Sequence, residues 1–151
     1  MPDTIAGLPL HPLVVHAAVV LVPLTSIGAV LMALWPRFSR RFGVLVVIVA
    51  GAALVSTVVA KQSGEALARQ VGVTEQHMEL GGRMPLVAAA LAVLTVVFWL
   101  FDRGIPGNRR RPWWLVVLAV ILVVVALGAI YLTILTGHSG AEAVWVGRLR
   151  G

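Results

Sequence analysis

Hydrophobic positions fall in long unbroken runs along this 151-residue chain, and the charged positions are confined to the gaps between them. Four runs of roughly 18 or more residues carry no Asp, Glu, Lys or Arg, which is long enough to cross a ~30 Å hydrocarbon layer. The first span covers about residues 13–35, opened by Leu10-His11-Pro12 and closed by Pro36. The second covers 42–60 and is rich in Val, Ala and Gly. A third covers 85–101, and its helix can start earlier, with Thr74 as N-cap ahead of Glu75 and kinks at Gly81-Gly82 and Pro85. The fourth, 113–136, is the most apolar. Outer-membrane strands would alternate apolar and polar residues, and these runs do not. The pattern predicts an all-α, integral membrane four-helix bundle forming one domain over residues 1–151.

Composition agrees: 60% of residues are hydrophobic, 12% are charged and the mean hydropathy is +0.98, which excludes a free-standing soluble enzyme. Trp35, Trp99, Trp113 and Trp114 fall at span ends, where indoles favour the headgroup region. The segment ahead of the first span holds Asp3 and no basic residue, so no cleavable signal is expected. Between spans two and three, residues 63–76 are too polar to cross and predict an extension of span two with a turn at Gly72.

The net charge of +6 belongs to membrane orientation rather than to nucleic acid, which is not an expected partner. Two short connections hold Arg37, Arg40, Arg41, Arg103, Arg109, Arg110 and Arg111 with Asp102 the only acid between them. The opposite side holds Lys61, Arg69, Arg83, Arg148 and Arg150, offset by several acids. This bias predicts cytoplasmic arginine loops and both termini outside (N-out/C-out). The run 109–111 then reads as a topology anchor, with anionic lipid heads as a further contact.

No cysteine is present, which excludes disulfides and cysteine-based metal sites or nucleophiles. Nor is there a phosphate-binding glycine loop, a nucleophile elbow or an HExxH motif. The candidate chemistry lies in four histidines, His11, His16, His77 and His138, which this topology places in the outer half of the bundle. Imidazole ligates iron, copper and zinc and carries protons near neutral pH. A four-helix bundle receiving histidines from facing helices is a common holder of b-type haem. His16 with His77, or His16 with His138, would supply opposed axial ligands, whereas His11 and His16 are too close in sequence to oppose each other. Arg69, Arg83 and Lys61 are available to haem propionates. Structural alternatives stand beside this: a cap or turn at His11, and a helix stop at Thr136-Gly137-His138-Ser139-Gly140. A histidine–carboxylate cluster would equally suit copper or zinc.

The stretch Leu8-Pro9-Leu10-His11-Pro12-Leu13-Val14-Val15-His16 resembles the opening signature of the bacterial family catalogued as domain of unknown function number 2231. Ser63-Gly64-Glu65, His77-Met78-Glu79-Leu80-Gly81 and Gly137-His138-Ser139-Gly140 resemble its later elements. Ala17-Ala18 departs from the family's usual Phe-Pro, and Ala141-Glu142-Ala143 from its glycine-containing stretch. The resemblance implies a small bacterial plasma-membrane protein, and it points to respiratory or quinone-linked electron transfer because such domains also occur joined to Rieske-type domains. The leading expectation is a haem b electron carrier rather than a stand-alone enzyme. A cofactor-free accessory subunit and a copper or zinc protein are the alternatives, and the sequence leaves room for a homo-oligomer in the lipid bilayer.

Overall fold

A computed structural model describes residues 4–5, 8–71, 75–106 and 108–149. Four helices carry the fold: α1 (Leu10–Leu34), α2 (Pro36–Val71), α3 (Glu75–Arg103) and α4 (Trp113–Leu149). A two-residue antiparallel pairing of Thr4–Ile5 with Leu8–Pro9 precedes α1. Each helix packs on its neighbours in sequence and α4 closes against α1, while α1 and α3 lie diagonally and barely touch. All four are long and apolar enough to cross a membrane.

The helices extend beyond the apolar runs. α2 continues through the polar segment to Val71, as expected, while the expected turn at Gly72 and the cap at Thr74 lie outside the described residues. One expectation is corrected. Thr136-Gly137-His138-Ser139-Gly140 does not stop α4, which runs on to Leu149. Glycine punctuates a helix only where nothing else holds it, and here Gly140 lies under the His77 ring of α3.

Small residues line the seams. Ala29, Ala53, Ala88, Ala126 and Ala129 are buried beside Val22, Met32, Phe98, Leu115 and Leu122. Lipid tails are as apolar as leucine, so packing rather than hydrophobic segregation holds such helices together. Gly43 lets Trp99 lie on the α2 backbone, since a Cβ there would fall 2.2 Å from the indole. Pro23 removes a donor from α1. The neighbouring hydroxyls do not compensate the freed Val19 carbonyl, because Thr25 donates to Leu21 and Ser26 to Val22.

At the arginine-rich end, Arg111 is buried rather than free. Its Nε and Nη2 donate to the two oxygens of Asp102 at 2.7 and 3.0 Å. The same guanidinium donates to the carbonyls of Met32, at 2.8 Å, and Ala33, in the last turn of α1. It also lies over the Phe98 ring. Arg111 thus ties the end of α1 to the end of α3, satisfying carbonyls that a helix terminus leaves orphaned. Only Arg109 and Arg110 of the run face outward.

Candidate functional site

The opposite end of the bundle holds an open cavity of about 880 Å³ between the start of α1, the end of α2, the start of α3 and the later turns of α4. That volume lies within the usual range of small-molecule and cofactor sites. Its wall is mostly apolar or small: Pro12, Val15, Ala18, Val19, Leu67, Met78 and Met84, with Gly81, Gly82 and Gly137 facing open space. Thr57 and Thr133 also line it, but their hydroxyls are spent on the backbone carbonyls of Leu54 and Ala129.

Three of the four histidines line this cavity: His11, His16 and His77. His11 is carried into α2 by a close helix approach at Gly64, where a Cβ would fall 2.8 Å from the ring. Its Nδ1 donates to the Ala60 carbonyl at 3.0 Å and lies 3.3 Å from the Ser63 hydroxyl. A carbonyl only accepts, so His11 carries its proton on Nδ1 when neutral. His77 makes the corresponding contact on α4. Its Nδ1 lies 3.1 Å from Ser139 Oγ, and that hydroxyl's own proton goes to the Thr136 carbonyl, so Ser139 accepts from Nδ1–H. His16 likewise donates from Nδ1, to the Pro12 carbonyl at 2.5 Å within its own helix. In each neutral ring Nε2 therefore keeps its lone pair, the arrangement that an outer hydrogen bond imposes on ligating histidines.

The remaining sequence candidates lie elsewhere. His138 stands on the exposed face of α4, 3.3 Å from Glu142, and does not line the cavity. Lys61 is at the wall, 3.8 Å from Glu65. Arg83 is exposed and held by Glu79 at 2.5 Å, and Arg69 is exposed near the end of α2. Neither arginine lines the cavity. Tyr131 faces outward. The residues that sequence reasoning missed as site components are Ser63, Ser139, Gly64 and Gly140, which position the two rings. Their signal was present as two Ser-Gly pairs late in α2 and α4, each with a histidine early in the preceding helix.

Among the described residues, no three His, Asp or Glu side chains come together as a metal-binding group. The donors that do share the cavity are imidazoles on the diagonal helices α1 and α3, anchored through Nδ1. Two such imidazoles could serve a cofactor that brings its own equatorial ligands, and with His16 and Glu65 on the same wall the donor types also suit a metal ion.

No curated protein and no solved structure matches the chain. Residues 7–150 match the family described as a predicted membrane protein (DUF2231). With four membrane-length helices and nearly its whole length covered by that match, the chain belongs to this family of membrane proteins.

Proposed function

We propose that the protein is a b-type haem electron carrier of the bacterial plasma membrane, with His11 and His77 as the axial pair. One observation carries the reading: two imidazoles on diagonal helices line one cavity, each anchored through Nδ1 by the helix next to it. His16 remains at the wall as a third imidazole, hydrogen-bonded only within α1. Bound haem would supply one-electron chemistry, and the bundle would set its potential and access. Lys61, at the wall beside Glu65, would be the cation to meet a propionate, since Arg69 and Arg83 do not line the cavity. The rest of the wall is mostly apolar or glycine.

Exposed Arg37, Arg40, Arg41, Arg109 and Arg110 favour a cytoplasmic position for their end of the bundle. The cavity and both termini then face outward, and an electron partner would meet the protein there. The family's association with Rieske-type domains favours a respiratory or quinone-linked partner. Visible spectra of detergent-purified protein, produced with haem supplied and read oxidised and dithionite-reduced, test the proposal. A sharp reduced α-band that disappears in His11→Ala and in His77→Ala supports it. A colourless, metal-free protein overturns it in favour of an accessory subunit, and stoichiometric copper or zinc without the band overturns it in favour of a metal-handling role.

A further inference from the structure

The burial pattern of α1 recurs in α3. Ala18, Val22, Thr25, Ser26, Ala29 and Met32 are buried, and so are the residues 66 positions later, Met84, Ala88, Leu91, Ala92, Thr95 and Phe98. α2 and α4 correspond at 76 positions: Ser39, Gly43, Val46, Ala50, Ala53 and Thr57 against Leu115, Ala119, Leu122, Ala126, Ala129 and Thr133. The two shifts differ because the two hairpins turn differently. Trp35 alone joins α1 to α2, whereas residues 104–112 join α3 to α4.

Any two buried helix faces can be matched at some shift, because both repeat every 3.6 residues. Burial alone therefore decides little. The polar positions decide it: the shift of 66 also superposes His11 on His77. The shift of 76 superposes Pro36 on Pro112, Thr57 on Thr133, Ser63 on Ser139 and Gly64 on Gly140. The contacts correspond in part: in both pairs a histidine Nδ1 lies by a serine Oγ and the ring edge meets a glycine, while His11 alone also donates to a carbonyl, that of Ala60.

We infer that the chain is a tandem repeat of one helix hairpin. Its cavity is a single site assembled from two equivalent half-sites, His11–Ser63–Gly64 and His77–Ser139–Gly140. Both hairpins start at the same end of the bundle, so the pseudo-twofold axis runs along the helices, as in membrane proteins built from parallel repeats. A ligand on that axis is gripped from two sides by like groups, and neither half-site suffices alone. The titratable exceptions to the symmetry in the cavity wall all lie in the first hairpin. His16, Lys61 and Glu65 correspond to Gly82, Gly137 and Ala141, so the cavity has one charged half and one bare half. The choice of haem as ligand rests on the function proposed above, while the equivalence of the half-sites does not.

Titration of the full-length protein in detergent with haemin, followed in the Soret region, tests the inference. One haem per chain is expected, with His11→Ala and His77→Ala losing affinity to the same extent. Ser139→Ala should lose about 10–100-fold, the usual effect of removing an outer-shell partner, and Ser63→Ala less, because the Ala60 carbonyl still accepts from His11 Nδ1. Two haems per chain, or a loss of affinity in only one of the two histidine variants, would overturn it. If the wild type takes up no haem, the ligand assignment fails and the half-sites are read by 15N NMR of histidine-labelled protein. Matched Nδ1–H tautomers for His11 and His77 in the wild type then support equivalence. Unlike tautomers defeat it. Read on the wild type, this measurement also covers any alanine variant that fails to fold.

Discussion

A single carbon decides how far each cavity histidine reaches. At Gly64 a Cβ would meet the His11 ring at 2.8 Å, and at Gly140 it would meet His77 at 3.0 Å, whereas at Gly128, on α4 away from the cavity, it would meet nothing within 4 Å. Gly64→Ala and Gly140→Ala are therefore expected to displace their imidazoles and lower haem content, while Gly128→Ala leaves the spectrum unchanged; absorbance per chain is the measurement. His16→Ala should retain the haem, since its ring is tied to its own helix at Pro12 and not across the bundle. Loss of the band in that variant would return His16 to the axial pair. That the histidines lie toward one end of the bundle was legible from their positions at the span ends. Which histidines share the cavity was not legible. That depends on the rotation of α1 against α2 and of α3 against α4, and on Ser63 and Ser139, whose hydroxyls look like ordinary helix-surface groups until the neighbouring ring is placed.

The helices of this chain were legible in number, as were the extension of α2 and the early start of α3, but the length of α4 was not. The spans followed from hydrocarbon thickness, which limits charge-free runs whatever the tertiary structure. α4 outran its apolar run because the contact that makes Gly140 useful comes from α3, more than sixty residues away in sequence. Asp102 and Arg111 show the same gap between pattern and packing. In the sequence they are one acid and one of three consecutive arginines. In the fold they form a bidentate pair, 2% and 12% exposed, that also holds the last turn of α1. Removing one partner strands a buried charge, so Asp102→Ala should cost about 3–5 kcal/mol of stability. Thermal unfolding in detergent checks this, with Arg109→Ala, an exposed position, as the control expected to change little.

The whole molecule is clamped at one end and hollow at the other. At the arginine end a guanidinium joins the ends of α1 and α3, and at the histidine end the same diagonal is separated by the cavity. Orientation is testable directly because the chain has no native cysteine. A membrane-impermeant thiol reagent applied to intact cells should label Gln62→Cys and spare Arg40→Cys, both exposed positions. The reverse pattern would invert the topology. The arginines alone predict that topology, whereas the duplication requires both the 66- and 76-residue shifts. The unequal connections hide the repeat from any comparison made at one spacing. Arg111 also has a place in time. While the chain is being inserted, α3 and α4 are not yet packed, and the membrane machinery meets Arg111 as one more positive charge beside its two neighbours. Only afterwards does the guanidinium turn inward to Asp102 and α1. On the proposed orientation one side chain would serve first to orient the nascent protein and later to fasten it, and Arg111→Ala is expected to lower thermal stability while leaving the thiol-labelling pattern unchanged.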